Sequence, residues 1–111
     1  MMMSKEEIWA GMTAILGDDP ELLNDIYQDY LVAAENVFRE AQTAELAGDF
    51  NEMRRAAHTL KGCSANVGAE VLRAQALAWE MAARNADINA YRELGAELRK
   101  AFAALGVAVN P

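Results

Sequence analysis

The chain is short of the residues on which several classes of site depend. Its 111 residues include one cysteine, one histidine and two prolines. A single cysteine excludes an intrachain disulfide framework, and the cysteine and histidine counts exclude a zinc site rich in these ligands. No apolar run approaches the roughly 18 residues of a transmembrane helix, and residues 1–7 lack the apolar core of a signal peptide. One domain in a reducing compartment, the cytoplasm, is therefore expected.

Positive charge is also scarce. Ten Lys and Arg residues face 17 Asp and Glu residues, which gives a net charge of −7. Nucleic acids and anionic membranes are both bound through basic surfaces that offset their negative charge. The composition therefore predicts neither of them as a partner.

Signals for β-strands are weak, whereas signals for helices are strong. Valine and isoleucine are sparse, and no Asn-Gly or Asp-Gly hairpin turn occurs. Alanine, leucine and glutamate are abundant, and their side chains lose little conformational entropy when they enter a helix. The composition predicts an all-α fold.

Caps and glycines divide the chain into five predicted helices. Ser4 and Glu7 form a capping-box pattern at the start of a short helix, and Asp19 with Pro20 begins a long second helix that ends at Gly48. The bounds expected for the other three helices are about 49–67, 70–84 and 88–105, and a second capping box is expected at Asp49 and Glu52.

Four long amphipathic helices with short connections favour an up-down-up-down antiparallel four-helix bundle, with the short first helix covering one end. Residues 1–111 are expected to form this single domain, and residues 107–111 are expected to be a loose tail.

The single histidine, His58, falls in the third helix. On a helical wheel of about 100° per residue, the apolar side chains of this helix lie on the opposite side. They are Met53, Ala56, Leu60, Cys63 and Val67. We therefore expect His58 to project into solvent, and we interpret Cys63 as a small core residue.

Basic side chains surround His58 on the helix surface. Arg54 and Lys61 flank it on one side and Arg55 on the other, and no Asp or Glu occurs in residues 54–68. Neighbouring cations disfavour the protonated imidazole, and the neutral imidazole is the nucleophilic form. The same cations suit an incoming phosphoryl group.

Two small residues share the histidine face. Gly62 inside a helix costs about 1 kcal/mol relative to alanine. Close packing against a neighbouring helix is one explanation, but Gly62 lies on the side of His58. Its missing side chain, like the small Ala65 one turn later, leaves room for a partner to approach.

Residues 58–69 read HTLKGCSANVGA, which resembles the signature of histidine-containing phosphotransfer (HPt) domains. That pattern has a histidine, an apolar residue two positions later, Lys-Gly, two small residues and an aliphatic-glycine pair. The resemblance covers most of the chain, including the leucine-rich second helix. Cys63 stands where serine or alanine is more usual, and this departure touches nothing essential.

The resemblance implies that His58 accepts a phosphoryl group from the aspartyl phosphate of a receiver domain and passes it to another. Lys61 would hold the phosphoryl oxygens. The implied partners are receiver domains or a hybrid histidine kinase, and the receiver would supply Mg²⁺, so the chain itself needs no cofactor or metal. A monomer is expected, and the residues expected to bind the partner are Arg54, Arg55, Gly62 and Ala65.

Three alternatives stay open at this point. The chain could be a non-catalytic helical adaptor that binds a receiver domain, with His58 as a relic, although its Lys-Gly pair is intact. It could be the phosphorylated part of a larger kinase, although it has no phosphate-binding loop of its own. It could be a helical enzyme, although no carboxylate pair or Ser/His/Asp set is evident around His58.

Overall fold

The computed structural model describes residues 2–109, and these form five α-helices without a β-strand. The helices are α1 (Lys5–Leu16), α2 (Pro20–Ala47), α3 (Phe50–Asn66), α4 (Glu70–Arg84) and α5 (Ile88–Ala104). The predicted all-α class is confirmed, and each helix begins and ends close to the residues expected from caps and glycines.

The helix N-termini show which capping patterns form. At α1 the Ser4 hydroxyl accepts from the Glu7 amide and the Glu7 carboxylate accepts from the Ser4 amide, so the capping box is complete. At α3 the Asp49 side chain accepts from the Glu52 amide. The Glu52 carboxylate lies 3.6 Å from Arg55 instead of closing a second box.

The helices pack around one apolar core. Helix α3 packs against α2 and α4, α5 packs against α4 and α2, and α1 packs against α2. The largest fully buried apolar side chains come from all five helices, and they include Ile8, Leu23, Leu60, Trp79 and Phe102. This packing places α3 beside α4, which decides the surroundings of His58.

Two glycines let α1 approach the turn between α3 and α4. A Cβ atom on Gly11 would lie 3.0 Å from the Gly68 carbonyl oxygen, which is closer than real Cβ contacts normally come. Gly68 has φ +70°, a left-handed conformation that favours glycine. The turn that ends α3 is therefore fixed by both a backbone conformation and a helix contact.

The core face of α3 differs from the wheel at three positions, and the first is Ala57, which is fully buried although the wheel did not place it there. Cys63 is only half-buried and lines a surface pocket of about 240 Å³ between α2 and α3, so its interpretation as a core residue holds only in part. Ser64 is fully buried, and its hydroxyl lies 2.7 Å from the Tyr30 hydroxyl of α2. This hydrogen bond satisfies a polar pair that the wheel had not placed in the core.

The chain stays packed after α5. Val107 is buried, its amide donates to the Phe102 carbonyl, and Val109 packs against the core in part. The segment expected to be a loose tail is therefore held at its first residue, and residues 110 and 111 lie outside the described range. Within residues 2–109, no helix has the length and apolar character needed to span a bilayer.

Candidate functional site

His58 projects from the outer face of α3, as the wheel predicted. Its side chain is 61% exposed, and Nδ1 lies 3.0 Å from Oε2 of Glu80 on the neighbouring helix α4. One ring nitrogen is therefore engaged by the protein. The hydrogen bond fixes the plane of an imidazole that would otherwise rotate freely in solvent.

Glu80 is the residue of this site that sequence reasoning missed. Its side chain is 2% exposed, and its two oxygens face cations from both helices. Lys61 Nζ lies 2.7 Å from Oε1, and Arg84 Nη2 lies 3.6 Å from Oε2. The sequence around His58 showed only cations, so a carboxylate contributed by α4 corrects the view that none is near the imidazole.

The environment of Glu80 keeps it ionised. Burial acts to raise the pKa of the Glu80 carboxyl, but hydrogen bonds and charge interactions with Lys61 and His58 outweigh it, and the pKa is lowered. An ionised carboxylate only accepts hydrogen bonds, so His58 Nδ1 must be the donor. In a neutral imidazole the proton is then on Nδ1, and Nε2 carries the free lone pair.

Gly62 and Ala65 both lie on the exposed face of α3, together with His58. A Cβ atom added to Gly62 would meet nothing within 4 Å, so close helix packing does not explain this glycine. Ala65 is exposed as well. The structure thus leaves open space beside His58, where a second protein can approach.

The two arginines that flank His58 differ in exposure. Arg55 has a side chain that is 72% exposed and pairs with Glu52 at 3.6 Å, whereas Arg54 is half-buried. Both precede His58 by about one helical turn. With Lys61 and Arg84, they form a basic surface around the imidazole on an acidic protein.

A comparison with models of protein families identifies the family of this chain. The family model described as Hpt domain matches residues 25–108, most of the chain. The chain belongs to the Hpt domain family. Helix α1 and the first turn of α2 precede the matched residues of this Hpt domain. No curated protein and no solved structure matches the chain.

Membership fixes the class of chemistry. Hpt domains carry out histidine phosphotransfer in two-component phosphorelays, where they interact with receiver domains and kinases. His58 is the single histidine of this Hpt domain. In the part of the chain that the structure describes, no group of three or more His, Cys, Asp or Glu side chains is arranged to hold a metal ion.

One sequence signal could have located Glu80. On a helical wheel of α4, Glu80 lies within about 60° of Ala76 and Ala83, which are core residues. An acidic side chain rarely lies so close to an apolar face without a partner. The contact with His58 could not be predicted from α4 alone, because His58 lies 22 residues earlier, on α3.

Proposed function

We propose that His58 is the phosphoacceptor of this Hpt domain, and that it takes a phosphoryl group from the aspartyl phosphate of one receiver domain and transfers it to another. The observation that supports this most directly is the hydrogen bond between His58 Nδ1 and the buried, ionised Glu80. It leaves Nε2 as an exposed nucleophile with its lone pair available.

The phosphoryl transfer is a single displacement at phosphorus. The Nε2 lone pair attacks phosphorus, the Nε2–P bond forms, and the P–O bond to the aspartate breaks with its electron pair leaving on the carboxylate. The proton stays on Nδ1, so the phosphorylated ring carries a positive charge. Glu80 accepts a hydrogen bond from that nitrogen and offsets this charge, and the reverse step returns the phosphoryl group to a second aspartate.

Lys61 supports the same step through its charge. Its ammonium group pairs with Glu80 Oε1 and is about one quarter exposed, so it anchors the carboxylate and also faces the surface of His58. A cation at this place attracts the phosphoryl oxygens during approach. We propose that Mg²⁺ is provided by the receiver domain, and that this chain contributes no metal ligand.

The docking surface that we propose surrounds His58 on α3. The open space at Gly62 and the exposed Ala65 admit the receiver's active-site loops, while Arg54 and Arg55 offer charge to its acidic site. The receiver domain can be a separate protein or part of a hybrid histidine kinase. We further propose that the chain acts as a monomer, which size-exclusion chromatography with light scattering tests.

The helix arrangement that fits this function is an antiparallel four-helix bundle. Helices α2 to α5 run up, down, up and down in our proposal, because short connections join helices that pack against their neighbours in the chain. Helix α1 covers one end.

We propose the cytoplasm as the location, since Cys63 is a free thiol and free thiols persist in reducing compartments.

A phosphotransfer assay tests the function directly. Wild type, His58→Gln and Lys61→Ala are incubated with a panel of phosphorylated receiver domains, and phosphate on the protein is measured after acid and after base treatment. Wild type should gain acid-labile, base-stable phosphate, His58→Gln none, and Lys61→Ala should gain it more slowly. Circular dichroism checks that both variants keep the helical fold.

The same assay separates the alternatives. If folded wild type binds a receiver domain but accepts no phosphate from any receiver domain of the panel, the protein is an adaptor. This result would refute our proposal. Stoichiometric phosphate on His58→Gln would also refute it, because another residue would then be the acceptor.

A further inference from the structure

Three basic residues approach the buried Glu80 carboxylate, and they are held to different degrees. Lys61 is 2.7 Å from Oε1, and its side chain is 26% exposed. Arg84 is 3.6 Å from Oε2, the oxygen that His58 also contacts, and its side chain is 56% exposed. The lysine is thus tightly engaged, whereas the arginine is only loosely paired and is free on its solvent side.

We propose that Arg84 is a phosphoryl-binding residue of this site, and that its guanidinium binds the phosphoryl oxygens once phosphorus is bonded to Nε2 of His58. This rests on the proposed function, because it requires phosphorylation at His58. It assigns a direct contact to a residue of α4, outside the α3 segment that carries the signature of the family.

The position of Arg84 allows this contact. The guanidinium and the imidazole approach the same oxygen, Oε2 of Glu80, at 3.6 and 3.0 Å, so the two groups lie close to each other. Arginine presents a planar set of donors that matches two phosphoryl oxygens at once, and it stays charged at any pH at which the protein is folded.

The charge balance also favours an exchange of partners by Arg84. When the imidazole is in its nucleophilic, neutral form, Glu80 has two cations as partners, Lys61 and Arg84. Phosphorylation leaves the ring positively charged and adds a phosphoryl group with about two negative charges. Glu80 then has the charged ring and Lys61 as partners, so Arg84 can leave it for the dianion without leaving a buried charge unpaired.

A structural role for Arg84 is the competing explanation, since it lies in the last turn of α4 and a cation there stabilises a helix. Arg73 provides a matched control. It lies on the same helix, is partly exposed and pairs with Glu70 at 2.9 Å. It precedes Arg84 by eleven residues, or about 16 Å along the helix, so Arg73→Gln removes the same charge well away from Arg84.

The experiment uses full-length wild type, Arg84→Gln, Arg84→Lys and Arg73→Gln. Each is phosphorylated with potassium phosphoramidate, whose P–N bond breaks and releases ammonia, and the phosphohistidine is titrated by ³¹P NMR. The rate of phosphoryl acceptance from a phosphorylated receiver domain is measured on the same samples. Thermal unfolding followed by circular dichroism shows whether each variant is folded.

The proposal predicts a specific pattern. Arg84→Gln should raise the pH at which the ³¹P signal titrates, because the dianion loses a cation, and it should slow acceptance about tenfold, the effect of one charge-assisted hydrogen bond. Arg84→Lys should be intermediate, and Arg73→Gln should match wild type. A merely structural arginine would leave the ³¹P titration unchanged.

Two other outcomes would overturn the assignment. If Arg84→Gln matches wild type in both readouts, or if Arg73→Gln shifts the titration equally, Arg84 makes no specific contact, although His58 stays the acceptor. If wild type gains no phosphate at His58 from phosphoramidate or from receiver domains, with His58→Gln as reference, the proposed function fails together with the assignment.

Discussion

His58 Nδ1 lies 3.0 Å from Glu80 Oε2, and this contact joins an exposed imidazole of α3 to a buried carboxylate of α4. Because Lys61 and His58 keep the pKa of Glu80 low, the carboxylate orients the imidazole without competing for its proton. An orienting carboxylate, a ring nitrogen that donates to it and a free nucleophilic ring nitrogen thus belong to one hydrogen-bonded unit, as in other activated nucleophiles.

The tautomer of His58 should depend on Glu80. Glu80→Gln removes the charge but keeps the shape, so the proton should no longer be confined to Nδ1, and phosphoryl acceptance should slow about tenfold. ¹⁵N NMR of the imidazole measures the tautomer, and the receiver assay measures the rate. A variant whose imidazole spectrum and rate both equal those of wild type would show that Glu80 has no orienting role.

Stability in acid should also depend on Glu80. Its folded-state pKa is lowered, while the unfolded value for glutamate is about 4.3. Between the two values the unfolded chain binds more protons, so the free energy of unfolding increases with pH. The stabilisation is therefore complete above the unfolded pKa and is lost as the pH falls through the folded one.

Urea unfolding from pH 3 to pH 7 tests this dependence. Glu80→Gln should reduce the increase in unfolding free energy with pH, whereas Glu70→Gln, which removes an exposed carboxylate from the same helix, is the charge-matched control. Equal slopes for wild type and Glu80→Gln would contradict the prediction.

The buried hydroxyl pair between α2 and α3 should stabilise the fold. Tyr30→Phe or Ser64→Ala each leaves the other hydroxyl buried without its 2.7 Å partner, which should cost about 1–3 kcal/mol. The double variant should cost less than the sum of the single variants, because both partners are then removed. Urea unfolding of the four proteins gives this cycle, and strict additivity would argue against the hydrogen bond.

Gly62 should make helix α3 less stable and should also allow a receiver domain to approach His58. Gly62→Ala should stabilise the helix by up to about 1 kcal/mol, since a Cβ there meets nothing within 4 Å. A bulkier change, Gly62→Leu, should slow transfer from a receiver domain about tenfold or more through steric exclusion, while phosphorylation by phosphoramidate stays near the wild-type rate. An equal loss with both phosphodonors would point to damage at His58 itself.

Gly95 offers the contrasting control for that series. A Cβ on Gly95 would lie 3.1 Å from Trp79 Nε1 and 2.9 Å from Arg99 Nη1, so Gly95→Ala should destabilise the fold despite its better helix propensity. Thermal unfolding of both alanine variants should therefore move the midpoint in opposite directions. The same substitution thus distinguishes a glycine left open for a partner from one required by packing.

The sequence alone determined the helices and the exposure of His58. Caps at Ser4, Asp19 and Asp49 and the apolar spacing of α3 are local features, and a wheel converts them into a face because the α-helix has a fixed period. The signature at residues 58–69 also indicated the family and, through it, the class of chemistry. Whether Gly62 served packing or access was decided only by the empty space around it.

Only the tertiary structure placed Glu80 and Arg84 at the site. The contact between Glu80 and His58 spans 22 residues and depends on how α4 is rotated against α3, which is set by core packing and not by local spacing. The burial of Ser64 beside Tyr30 has the same origin. A helical wheel predicts which way a side chain points, but the residue that this side chain contacts depends on how the neighbouring helix packs.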